Sequence, residues 1–163
     1  MPERGQAQKE GEAMKETMQE AVIISIRPEW TRKIRAGEKT VEVRRTYPGM
    51  VYLPFTVYIY ETVAAFDGKR GTGAVIGEFI CNDVFDIRYE RSDDLFTKQY
   101  SFPYPAGSDC LSAVALSQYL GRRDGYGWNI TELKIYDKPI PLAAFGMEKP
   151  PQSWRYCRRL AAA

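Results

Sequence analysis

The apolar positions of this chain fall into short runs whose period changes along the sequence. Ala21–Ile26 (AVIISI) is β-branched, apolar and too short for a helix, which predicts a buried strand. Pro28 follows where a helix begins, because a missing N–H costs nothing at the first helical position. Trp30 and Ile34 lie four apart on a face directed at the core, and Gly37 supplies the left-handed stop. Across Lys39–Thr46 the period becomes two. Val41 and Val43 share one face and Glu42 and Arg44 the other, so the charged pair projects away from the apolar side. Tyr47-Pro48-Gly49 is a turn.

Phe55–Tyr60 is a third strand, with Val57 and Ile59 opposed to Tyr58 and Tyr60. Thr62–Thr72 is an irregular loop or hairpin tip. Gly73–Phe85 is a long strand in which Gly77 marks a bulge or bend. Ile87–Lys98 is mixed and acidic, with a short helical tendency, and Tyr100–Pro105 is an aromatic loop. Ser108 or Asp109 caps a helix to Leu120, with Leu111, Val114, Ala115 and Leu116 inward. Tyr126–Tyr136 is a further strand with a shift in its apolar phase, and Lys149–Leu160 closes the chain with aromatic and basic residues. Strands predominate without strand–helix alternation, so a doubly wound parallel sheet is disfavoured. The expected fold is α+β, mainly β: a small barrel of five or more strands with helices at its rims.

Residues 1–20 are polar and hold few large apolar groups, too few to offset ordering entropy. They are expected to form a disordered tail, with room for a short helix over Ala13–Glu20, ahead of one domain over residues 21–160. No run is long and apolar enough for a membrane helix, and the N-terminus lacks the pattern of a secretory signal, so the expected location is cytoplasmic.

Chemistry is bounded by what is missing. The 163 residues contain no histidine, which removes Ser–His and Cys–His catalysis and imidazole metal sites. Cys81, Cys110 and Cys157 are odd in number and widely spaced, neither a disulfide framework nor a zinc pattern. Neither a metal nor another cofactor is expected. Net charge is only +2, but Ser25–Arg45 alone holds seven Lys and Arg residues against three Glu. A local basic surplus is the form an anion-binding face takes, and also that of an ordinary solvated helix face.

Within that stretch Lys39, Glu42 and Arg44 are the focus. Glu42 and Arg44 can pair as a purely structural salt bridge, which spacing alone favours. They can also share a ligand, with Glu42 kept ionised by the neighbouring cations. Arg27 stands at the helix start, where backbone N–H groups attract anions, or is a surface charge. Tyr58 or Tyr60 is a candidate stacking platform, with core packing the alternative, and the same choice applies to Tyr126 and Trp128. Gln152, Ser153 and Arg155 offer polar reach if the C-terminal segment folds over the site, or simply anchor it.

The run S-I-R-P from Ser25 and G-E-K-T-V-E-V-R-R from Gly37 resembles the signature of ASCH domains, a branch of the PUA-like superfamily. Its approximate pattern, Gly-x-Lys-x-x-Glu-x-Arg, is met by Gly37, Lys39, Glu42 and Arg44. Val57–Glu61, Gly73–Val84, Tyr126–Leu142 and Pro150–Tyr156 resemble later segments of that family in the same order. The resemblance implies a PUA-like barrel with a cleft beside the signature that binds RNA or a nucleotide; taken with the readings above, the expected binding residues are Arg27, Lys39, Glu42, Arg44 and Tyr60. Two alternatives stand beside it. One is an enzyme acting on modified nucleosides or RNA, an amidohydrolase or ribonuclease, with Lys39 and Glu42 as its catalytic pair. The other is a protein-interaction module using the Tyr100–Pro105 loop. The small amidohydrolases of the family are thought to use a Lys, a Thr three residues later and a Glu. Here Glu42 occupies the Thr position and Thr40 has the wrong strand parity, which argues against that mechanism.

Overall fold

The computed structural model describes residues 20–90 and 100–161, so residues 1–19 of the expected tail and the whole 91–99 stretch lie outside the described residues. The elements run β1 (Ala21–Ile26), α1 (Pro28–Arg35), β2 (Val41–Arg44), β3 (Phe55–Glu61), β4 (Ala74–Tyr89), β5 (Tyr100–Ser101), α2 (Ala113–Leu120), β6 (Gly125–Ile140) and β7 (Trp154–Cys157). A single 3-10 turn, Leu142–Phe145, precedes β7.

The strands form one mixed, seven-stranded sheet in the order β2-β6-β4-β3-β1-β7, with β5 paired to β4. β1 and β3 are parallel and the remaining ladders antiparallel. The expected closure into a barrel is not formed: among the described residues no ladder joins β2 to β7. At the seam a side chain, not a backbone ladder, crosses the gap. The Arg44 guanidinium at the end of β2 donates to the Ser25 carbonyl on β1 at 2.7 Å and to Ser153 Oγ, just before β7, at 3.2 Å.

Strand parity sorts the apolar residues into separate clusters. Val22, Ile24, Ile26, Val57, Ile59, Phe79 and Trp128 share the main core with Ile34 from α1. The opposite faces of β1 and β3 put Ala21, Ile23, Tyr58 and Tyr60 into a second cluster with Val75 and Met147. Val41 and Val43 turn to a third, with Leu116 and Leu120 of α2 and the rings of Tyr100 and Tyr104.

β4 and β6 each run 16 residues and lie side by side, bent by register shifts. Gly77 sits at one shift, and a Cβ there would lie 2.4 Å from the Lys134 carbonyl oxygen, so the close approach needs glycine. Glu132, at φ 49°, accommodates the phase change in β6 that the apolar pattern predicts.

Differences from expectation concentrate in the middle of the chain. Ile87–Tyr89 extends β4 instead of starting a helix, and Tyr100–Ser101 pairs with it. The helix before Leu120 begins at Ala113, because Ser112, not Ser108 or Asp109, is its cap: Ser112 Oγ accepts from the Ala115 N–H at 3.1 Å. Ser108 and Asp109 are engaged elsewhere, and the late start turns Val114 outward to solvent.

Candidate ligand cleft

The cleft lies along the open seam of the sheet, between the end of β2 and the start of α1. Its volume is about 880 Å³. Lys39, Glu42 and Arg44 stand together at its base. Parity explains the last two, which share the face of β2 opposite Val41 and Val43. Lys39 precedes the strand, so parity does not bind it, and its side chain comes round to meet Glu42.

All three are buried. Arg44 Nε and Nη2 donate to Glu42 Oε1 at 3.2 and 2.9 Å. The Lys39 ammonium donates to the Asp109 carbonyl at 2.5 Å and lies 5.2 Å from the centre of the Trp30 ring. It also lies 3.4 Å from Glu42 Oε2, near enough for an ion pair but without hydrogen-bond alignment. Glu42 Oε2 is thus a buried acceptor with no hydrogen-bond partner; among the described side chains only Glu29 Oε2 shares that condition. Burial pushes the Glu42 carboxyl up, but the charges of Lys39 and Arg44 outweigh it and hold the group below its ordinary range. It is a carboxylate with one oxygen spent and one open.

The segment before α2 builds the facing wall. The Ser108 carbonyl accepts from the Thr40 and Val41 N–H groups, docking the loop on the start of β2. Asp109 is buried and accepts from the Tyr104 hydroxyl at 2.8 Å and the Leu111 N–H at 2.9 Å. That fixes the carbonyl that holds Lys39. Leu111, Ala115 and Tyr119 then line the cleft.

Two arginine–aromatic pairs flank the rim. The Arg27 guanidinium rests 3.7 Å from the centre of the Phe66 ring, and Phe66 is 82% exposed. Arg45 donates twice to the Tyr119 carbonyl, at 3.0 and 2.6 Å, and lies 5.0 Å from the centre of that ring. The lining therefore holds four cations, Arg27, Lys39, Arg44 and Arg45, against the single carboxylate of Glu42.

In three dimensions the chain is similar to solved structures from Zymomonas mobilis. A crystal structure of ASCH from that organism matches with a TM-score of 0.63 at 23% identity, covering 86% of this chain and 89% of that one. Two single-substitution variants of the same protein match alike, at TM-scores of 0.62 and 0.63 with 23% identity, covering 86% and 88% of this chain and 91% and 92% of theirs. This chain has the ASCH-domain fold. No family model matches the sequence, and no curated protein matches it.

On this ASCH fold the sequence-predicted residues divide. Arg27, Lys39, Glu42 and Arg44 meet in one cleft, as do Gln152 and Ser153. Tyr60 lies elsewhere. It shares a strand face with Tyr58 and is buried in the second cluster, across the sheet from the main core. Trp128 is fully buried in the core, and Tyr126 packs edge-on against Tyr47 with centroids 4.7 Å apart. Arg32 is paired with Asp67. Thr40 is exposed and does not line the cleft.

Reading the sequence missed Phe66, Tyr119 and the Asp109 carbonyl. Trp30, assigned to the core, divides its surface between the core and the cleft. Of the Tyr100–Pro105 loop, Tyr100 and Tyr104 are buried, leaving Phe102 as its exposed ring. Cys81 and Cys157 are buried, which pushes both thiols up to about 12, as suits idle side chains. Among the described residues no three His, Cys, Asp or Glu side chains gather as a metal cage, and no helix is long and apolar enough to cross a membrane.

Proposed function

We propose that the cleft binds single-stranded RNA or a nucleotide by the edge of a base, with Glu42 Oε2 accepting an N–H from it. The observation that carries this reading is the open oxygen itself: buried, ionised and without a hydrogen-bond partner, its charge paired with the Lys39 ammonium 3.4 Å away. A buried acceptor left unmade costs about 1–3 kcal/mol, and a ligand donor recovers it. A phosphate there would be repelled by the carboxylate, so the base of the cleft is not a plain anion site. A base edge with an N–H beside an acceptor atom suits Oε2 together with the Lys39 ammonium. Phosphates belong at the rim, with the exposed cations Arg27 and Arg45.

The same carboxylate is the candidate base of the hydrolytic alternative. Held below its ordinary range, it is a weak proton acceptor, whereas a general base works best when its pKa lies near the operating pH. This favours Glu42 as a hydrogen-bonding group.

The test is a titration of labelled single-stranded RNA hexamers at several salt concentrations. Affinity should fall steeply with salt. Glu42→Gln should weaken binding about tenfold, some 1.4 kcal/mol. Arg44 will hold the new carbonyl at the Oε1 position, so the amide NH2 will face the ligand, donor against donor. Absence of saturable binding would defeat the reading and leave the protein-interaction alternative. Unchanged affinity in Glu42→Gln would remove Glu42 from it. Turnover of RNA or an acylated cytidine that disappears in Glu42→Gln would instead establish the enzyme.

A further inference from the structure

We propose that Phe66 is a stacking subsite for a second nucleobase, so that the cleft takes an oligonucleotide in preference to a single nucleotide. This rests on the reading of the cleft as a base-binding site. Exposed single apolar residues are common on protein surfaces and need no ligand to explain them. Phe66 differs in how firmly it is held.

Its backbone N–H donates to Glu29 Oε1 on α1, at 3.4 Å. The next residue, Asp67, pairs with Arg32 one turn further along the same helix. The Arg27 guanidinium covers one face of the ring. The base of the loop is closed as tightly: the Gly71 N–H donates to the Val63 carbonyl at 2.9 Å, and a Cβ on Gly71 would fall 2.0 Å from the Thr62 carbonyl oxygen. The loop is therefore pinned to α1, and it carries an exposed ring at the cleft rim.

The second face of such a ring is a flat apolar surface beside a cation. That is the chemistry that recognises an unstacked base, sequence-tolerantly, next to its phosphate. A free nucleotide seated at Glu42 has no base left for Phe66. An oligonucleotide has one, and its linking phosphate passes the exposed charge of Arg27. Because each base–aromatic stack is worth a substantial factor, the second base should tighten binding on the order of tenfold.

The experiment measures affinity for nucleoside 5′-monophosphates and for the matching single-stranded di- and trinucleotides, by calorimetry, in wild type, Phe66→Ala and Phe66→Trp. The readout is the ratio of oligonucleotide to monophosphate affinity. The expected ratio is about ten in wild type, close to one in Phe66→Ala and at least the wild-type value in Phe66→Trp, with tryptophan fluorescence quenched on stacking. Phe66 is exposed, so neither substitution threatens folding. Equal affinity for one and three nucleotides in wild type, or a ratio that survives Phe66→Ala, overturns the subsite while leaving the cleft reading standing. Failure of every nucleotide length to bind overturns both.

Discussion

The seam and the rim of the cleft each place cations beside a partner, but they use them differently. At the seam, four hydrogen bonds from Arg44 go to Glu42, Ser25 and Ser153, out of the five N–H groups a guanidinium has. Lys39 spends one donor on the Asp109 carbonyl and is held by the Glu42 charge, which leaves its ammonium other donors for a ligand beside Oε2. At the rim, Arg27 and Arg45 are exposed and lie on aromatic rings, and Arg45, which gives two donors to the Tyr119 carbonyl, keeps the rest of its fork toward solvent. A cation whose donors are already used by the protein is a structural part, whatever its place in a motif. What the seam leaves open is an acceptor, Glu42 Oε2, with the Lys39 ammonium beside it, and what the rim leaves open is charge and ring surface. Counting basic residues along the sequence treats the two regions as one.

The largest expected effect tests whether the seam is structural. Arg44→Ala removes the bridge between the end of β2 and β1 and leaves Glu42 Oε1 and the Ser25 carbonyl without their donor. Breaking a buried ion pair from one side costs about 3–5 kcal/mol. At roughly 2–4 °C per kcal/mol for a chain of this size, thermal unfolding should move down by about 10 °C. A loss under about 1 kcal/mol would mean that the seam is no more structural than the rim, and the contrast would fail.

How far this was legible in the sequence follows from the range of each interaction. Alternation across Val41, Glu42, Val43 and Arg44 is a local property, and it placed the charged pair on one face correctly. The same rule set Tyr60 with Tyr58 and against Ile59, but parity names faces without saying which one borders the cleft; Tyr60 went to the other side. Pro28 and Gly37 bounded the helix because their backbone constraints act within a turn. The cap at Ser112 was missed because Asp109, an equally good cap by composition, is committed to Tyr104 and Leu111. The carbonyl that fixes Lys39 is 70 residues away, and carbonyls carry no sequence signal. Barrel closure was expected from the predominance of strands and the long strand bent at Gly77, yet whether the last ladder forms depends on what crosses the seam, and here it is the Arg44 side chain.

Acid should separate the regions next. The Glu42 carboxyl is held below its ordinary range in the folded protein, so its contribution to stability is complete above the unfolded-state pKa of about 4.3 and is lost as pH falls through the lower folded value. Unfolding free energy measured by urea should therefore drop below about pH 4, and part of that drop should be absent in Glu42→Gln, which carries no titrating proton. Glu42→Gln should cost about 1–3 kcal/mol at neutral pH, since the charge-assisted bonds from Arg44 become ordinary ones. An acid profile identical to wild type would show that the pair contributes nothing through ionisation.

Ser153→Ala is a finer probe of the same seam. It deletes the acceptor of Arg44 Nη1 at 3.2 Å while the bonds to Ser25 and Glu42 remain. The expected loss is about 0.5–1.5 kcal/mol in chemical unfolding. A loss as large as that of Arg44→Ala would place the whole bridge at Ser153.

The rim should give the smallest stability change and a distinct binding change. Arg27 and Arg45 are exposed, and replacing both with Ala should leave unfolding free energy within about 1 kcal/mol of wild type, allowing for the lost contacts with Phe66 and Tyr119. If both meet phosphate, the log–log salt slope of RNA binding should fall by about 1.4, at about 0.7 for each contact to a single strand. Glu42→Gln, in contrast, should lower affinity with little change in that slope, because a hydrogen bond to a base releases no counterion. The pair of measurements therefore tells base contact from phosphate contact at the same cleft. If the rim variant changes stability more than the slope, its arginines are structural like Arg44, and phosphate recognition must lie elsewhere on the surface.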